Sequence, residues 1–216
     1  VNGVDFTLTK TPILVLCPHT DDGELGCGGF ISQCREHGLE VWYAAFSNAW
    51  QSLPEGFPKD TLIHEVRAAT KVLGIPEDHL LLFDFPVRKF DEHRQDILET
   101  LVRLRSDLRP ELVVVPSLGD LHQDHSVIAH EAVRCFKMVS VLSYEMPWNN
   151  ISFSSDCFVR LEERFVEKKV EALRCYKSQG HRSYLTEEAV RAQALTRGIQ
   201  LAGGYAECFE VVRWML

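Results

Sequence analysis

Apolar and polar positions alternate along the chain in blocks that read as short buried strands separated by amphipathic helices. Ile13-Leu14-Val15-Leu16-Cys17 is an unbroken apolar run of strand length, as expected of a parallel strand covered on both faces. Residues 41–46, 80–83, 112–115 and 139–144 read as further strands, and 209–215 as a last one. Residues 30–37, 61–73, 94–108, 126–136, 166–176 and 186–197 read as helices. In 94–108 the residues Ile97, Leu98, Leu101, Val102, Leu104 and Leu108 share one helical face. Gly38 and Gly74 stand where helices should end, and Pro110 stops the helix before the fourth strand. This alternation predicts an α/β, Rossmann-like fold with a mostly parallel sheet flanked by helices. No repeat or linker interrupts the sequence, so a single domain is expected over 1–216.

Two strands end in clusters that carry chemistry. The first apolar run stops at Pro18-His19-Thr20-Asp21-Asp22-Gly23-Glu24, and the run at 112–115 leads into Asp120-Leu121-His122-Gln123-Asp124-His125. In open α/β sheets ligands bind beyond the carboxyl ends of the strands. His19, Asp22 and His125 offer two imidazoles and one carboxylate. That set suits zinc with an open coordination position, with Fe2+ as the alternative. A zinc-held water has a pKa of about 7, and a neighbouring carboxylate that is not a ligand can take its proton. Asp21 is the candidate. His122 and Asp124 form a second pair, a histidine held by a carboxylate, suited to stabilising an oxyanion or protonating a leaving amine. The pattern outlines metal-assisted hydrolysis of an amide or ester. A lone His or Asp at a strand end is more often a cap, but two clusters at two strand ends weaken that reading. Gly26-Cys27-Gly28-Gly29 lacks the spacing of a dinucleotide loop. Its glycines are expected to let loop and helix pack close to the metal.

Composition changes this picture little. The chain has 216 residues, 45% hydrophobic and 25% charged, as in ordinary globular proteins. A net charge of -8 argues against a nucleic-acid partner, which needs a basic face. No apolar stretch reaches membrane-spanning length, no secretory signal pattern opens the chain, and a cytoplasmic location is expected. Seven scattered cysteines read as small buried hydrophobes rather than disulfides.

The two clusters resemble those of the LmbE/PIG-L family of metal-dependent de-N-acetylases. The family's first motif, roughly A/P-H-P-D-D-x-E-x-G-x-G-G, matches Pro18 through Gly29 except for Thr20 in place of proline. The second, H-P-D-H, matches His122-Gln123-Asp124-His125. Lys169, Ala172-Leu173, Tyr176, Ser178-Gln179 and Ala206-Glu207-Cys208-Phe209 resemble its C-terminal pattern. The resemblance implies that His19, Asp22 and His125 bind the metal and that Asp21 is the general base. It implies that His122 is the electrophilic or acid residue, oriented by Asp124. It implies removal of an N-acetyl group from an acetylated amino sugar or its conjugate, and homo-oligomers, since several bacterial members are trimers or hexamers.

Substrate contacts are less legible. Many members carry an arginine three residues before a helical glutamate; here the glutamate is Glu65 and the arginine position is Leu62. His64, Arg67 or Lys59 are the nearby cations that would compensate. Arg88 follows a strand and is placed to grip a phosphate or carboxylate. Trp50 and Trp148 lie in loops after strands, where a sugar ring can stack, and Gln179-Gly180-His181-Arg182-Ser183 reads as another active-site loop. Two other functions fit the residues: hydrolysis of a different acylated amide, and a sugar- or nucleotide-binding protein without catalysis. A redox enzyme using iron in the same triad is a further alternative.

Overall fold

The structure is a computed structural model and describes residues 12–215; the remainder of the expected 1–216 domain lies outside the described residues. Seven strands, β1 (Ile13–Cys17), β2 (Val41–Ala45), β3 (Leu80–Leu82), β4 (Leu112–Pro116), β5 (Ser140–Tyr144), β6 (Cys157–Leu161) and β7 (Tyr205–Arg213), form one sheet in the order β3-β2-β1-β4-β5-β7-β6. The five strands from β3 to β5 are parallel, and β7 runs antiparallel to both β5 and β6. The helices are α1 (Asp22–Glu36), α2 (Thr61–Val72), α3 (Arg94–Leu108), α4 (Gln123–Cys135), α5 (Glu163–Leu173) and α6 (Glu187–Ile199).

The unbroken apolar run of β1 follows from burial on both faces. Ile13, Val15 and Cys17 enter a core shared with α1, α2 and α5, whereas Leu14 and Leu16 enter a second core against α3 and α4. From β1 the chain builds outward through β2 and β3, then returns to lay β4 on the other side of β1. The switch point of the sheet therefore lies between β1 and β4, whose parallel register pairs Val15 with Val114. Both His/Asp clusters leave the carboxyl ends of these two strands, at the crevice where such sheets bind ligands.

Several boundaries differ from expectation. The helix after β1 begins at Asp22, not near residue 30, so the glycines lie inside α1 rather than in a loop. Their job is close approach to the sheet: a Cβ on Gly26 would stand 2.3 Å from the Tyr144 ring, and one on Gly29 2.5 Å from Leu161. The helix breaks its geometry at Cys27 (φ -149°, ψ 28°). Past that kink the amides of Gly29 and Phe30 donate to the two carboxylate oxygens of Glu207 at 3.0 and 2.6 Å, and Lys169 pairs with the same carboxylate at 2.8 Å. The family-like C-terminal pattern thus serves to anchor α1. Helix α4 also starts earlier, at Gln123, within the second cluster. The edge strand β6 was not among the expected strands, because Arg160 interrupts its apolar pattern and its outer face is solvated. All seven cysteines are free thiols, five of them buried. No helix among the described residues is long and apolar enough to cross a membrane.

Candidate active site

The β1–α1 turn carries His19 through Asp22, and the β4–α4 segment carries Asp120 through His125. Adjacency of β1 and β4 brings them together. His19 Nδ1, His125 Nε2 and Asp22 Oδ2 form a triangle with all three edges at 3.3 Å. Ligands about 2.0–2.1 Å from a tetrahedral zinc stand about 3.3–3.4 Å apart, so this donor set fits a small divalent cation and leaves a fourth position for another ligand.

Two buried carboxylates fix the imidazoles. Asp124 Oδ2 lies 3.0 Å from His19 Nε2, and Asp120 Oδ2 lies 2.8 Å from His125 Nδ1. A carboxylate only accepts, so those nitrogens donate, and the other nitrogen of each ring is left to ligate. Asp124 also accepts the backbone amides of Arg88 and Phe90 at 2.6 and 3.3 Å. This corrects one expectation: the Asp124 carboxylate holds His19, and Asp124 meets His122 only through its backbone amide. Its side chain is fully buried and lies behind the site, because its helix turn points it at β1 rather than back at its neighbour.

His122 caps α4. Its Nδ1 accepts the Asp124 amide at 3.2 Å, and its own amide donates to Asp120 at 2.8 Å. A nitrogen that accepts a backbone N–H carries no proton, so the neutral ring holds its proton on Nε2. Burial, with the His19 and His125 imidazoles beside it, pulls His122 down to about 4, so the ring is neutral near pH 7. The three histidines bring ring nitrogens within 4.8 Å of one another. The cap occupies one nitrogen of His122, and the tighter His19–Asp22–His125 triangle is the better cation site.

The field at the site favours positive charge. Burial opposes ionisation of His19, but Asp22 and Asp124 outweigh it and raise the imidazole to about 10. Burial likewise opposes the Asp22 carboxylate, yet His125 and His19 hold it well below the ordinary range. Asp21 is raised to about 6, by burial first and by the Asp22 charge second. A carboxyl poised there can exchange a proton near neutral pH.

A cavity of about 320 Å³ opens above these groups. Asp21, His122, Arg88, Trp148, Leu62 and Arg182 all line it. Trp148 stacks on Tyr184 with ring centroids 4.1 Å apart. Trp50 is not among the lining residues; its ring carries Lys59 Nζ at 4.0 Å. The cations expected to replace an arginine at Leu62 are also elsewhere: His64 pairs with Asp60, Arg67 with Glu77, and Lys59 with Trp50. Sequence reasoning missed Asp120 as a partner of His125 and Tyr184 as part of the wall. Asp120 stood within the second cluster, but nothing in one dimension distinguishes its partner; Tyr184 had no signal.

Residues 14–136 match the PIG-L family, described as GlcNAc-PI de-N-acetylase. An uncharacterized deacetylase of Escherichia coli (strain K12), YaiS, is 29% identical over 170 residues, 77% of this chain and 90% of the relative. A probable N-acetyl-alpha-D-glucosaminyl L-malate deacetylase of Bacillus subtilis (strain 168) is 28% identical over 58% of this chain and 60% of its own length. The solved structure of GalB, a 4-carboxy-2-hydroxymuconate hydratase of Pseudomonas putida KT2440, superimposes with a TM-score of 0.78 at 22% identity, covering 95% of this chain and 98% of that one. That likeness is one of fold, and the hydratase shows why activity must be read from the site. The family match runs from β1 through α4, the stretch that delivers both His/Asp clusters, and by it the chain belongs to the PIG-L family and is a hydrolytic N-deacetylase.

Proposed function

We propose that the protein is a zinc-dependent deacetylase of an N-acetylated amino sugar or its conjugate. The observation that carries this reading is the 3.3 Å donor triangle with Asp21 and His122 beside it in one cavity. His19, Asp22 and His125 hold the cation, with Asp124 and Asp120 fixing the rings. When bound, the cation supplies Lewis acidity, lowering the pKa of the attacking water toward about 7 and opposing negative charge on the carbonyl oxygen. Asp21 takes the proton of that water, since it lines the cavity beside the donor triangle and its burial favours accepting a proton. His122 donates from Nε2 to the developing oxyanion. Its neutral state suits a hydrogen-bond donor better than a proton source. Asp21, having gained the proton, passes it to the departing amine. Acetate and the free amine leave. The sugar class is supported by the family description, and the cavity volume falls within the range of small-molecule pockets, about 300–1,000 Å³.

The experiment is acetate release from a panel of N-acetylated sugars and sugar conjugates, comparing metal-stripped with zinc-reconstituted protein. Zinc-dependent acetate from a panel member is expected. Equal rates with and without metal would overturn the cation's role, and activity restored by ferrous iron but not zinc would reassign the ion.

A further inference from the structure

We propose that Arg182 is a specificity-determining residue that binds an oxyanion, a carboxylate or phosphate, carried by the substrate away from its acetamide. The inference rests on the deacetylase reading above.

Arg182 lines the cavity and is held from behind. Its Nε donates to Gln179 Oε1 and its Nη1 to the Tyr184 hydroxyl, both at 2.7 Å. Gln179 is buried and donates to Ser178 Oγ at 3.1 Å. Ser178 in turn donates to Glu65 through its amide at 2.8 Å and its hydroxyl at 2.6 Å. A chain of hydrogen bonds thus runs from buried Glu65 on α2 to the guanidinium. Nη2 donates to no partner among the described residues, and Arg182 has no ion pair there. A guanidinium fixed at two nitrogens with a third free is organised before a ligand arrives, so little freedom is lost on binding.

The charge of the cavity points the same way. Asp22, Asp120 and Asp124 are engaged with His19 and His125, whereas Arg182 pairs with no carboxylate among the described residues. The Arg88 side chain likewise has no described partner. Its backbone sits in the left-handed region (φ 66°), a conformation its amide keeps through the bond to Asp124. Two arginines that line one cavity without an ion pair among the described residues, in a chain of net charge -8, favour a substrate that brings negative charge. The neutral Leu62 and the Trp148–Tyr184 stack provide no counter-charge.

The test uses three substrates: the methyl glycoside of N-acetylglucosamine, its carboxymethyl glycoside, and N-acetylglucosamine 1-phosphate. Calorimetry on the metal-free protein measures the same preference without turnover. The wild type should favour at least one anionic substrate over the methyl glycoside by 10-fold or more, and the better of the two identifies carboxylate or phosphate. Arg182→Gln should lower the ratio of anionic to neutral kcat/KM by about 10–100-fold, through KM, as expected for losing a hydrogen bond to a charged group. Arg182→Lys should keep part of it. No preference in the wild type would overturn the proposal. So would an equal loss on all three substrates through kcat, which would assign Arg182 to Asp21 instead. Anion-selective binding that Arg182→Gln abolishes, with no acetate from any substrate, would support the anion site and count against the deacetylase reading alone.

Discussion

Asp124, in the second cluster, holds His19 of the first through a 3.0 Å contact to Nε2, across 105 residues of sequence. The same carboxylate accepts the amide of Arg88. One buried side chain therefore joins the cation site to the wall of the substrate cavity. Such outer partners of a metal-binding histidine typically change metal affinity about 10–100-fold when removed. Asp124→Asn should fold, by circular dichroism, and bind zinc about 10–100-fold more weakly in competition with a chelating dye. Unchanged affinity would mean that His19 does not ligate through Nδ1.

Zinc binding should expel a proton. In the metal-free protein burial pulls His19 down, but Asp22 and Asp124 raise it to about 10, so the ring is positively charged at pH 7. An ion at Nδ1 must displace one proton while Nε2–H stays on Asp124. Proton and ion compete for one nitrogen, so affinity falls as pH falls, by about tenfold per unit. Calorimetry in buffers of different ionisation enthalpy should find about one proton released per zinc at pH 7. Affinity independent of pH between 6 and 8 would contradict the assignment.

His122 separates the two sets of three donors. If it stabilises the oxyanion, His122→Ala should lower kcat by about 10²–10³ while zinc content stays at one per chain. Loss of the metal in that variant would show that His122 is a ligand after all.

Thr20 stands where the family motif has proline, and its hydroxyl is buried without a partner among the described residues. Its carbonyl, by contrast, accepts the hydroxyls of Tyr43 and Tyr176 at 2.8 and 2.6 Å. Thr20→Val keeps the shape and removes an unpaired polar atom, so it should raise stability by about 1 kcal/mol in urea denaturation. A loss of that size would show that the hydroxyl has a partner, such as an ordered water.

Much of this arrangement was legible along the chain, for identifiable reasons. β1 was plain because burial on both faces leaves no polar position, and α3 because six apolar residues repeat at helical spacing. The beginning of α1 was hidden, since four glycines oppose helix propensity and only their close approach to Tyr43, Tyr144, Lys169 and Leu161 explains them. The residues that form the donor triangle stood out as types in two clusters. Their outer partners did not, because a carboxylate two residues from one histidine can serve another a hundred residues away. Trp50 shows the converse: a loop position suited to sugar stacking became the platform of a lysine.

The base role proposed for Asp21 requires it to act beside a cation that it does not hold. Its most direct test measures zinc content and acetate release together in Asp21→Asn and the wild type, on the best substrate of the panel. One zinc per chain is expected in both, with a rate lowered by about 10²–10⁴ in the variant. Turnover within a few-fold of wild type, with zinc in place, would contradict that role.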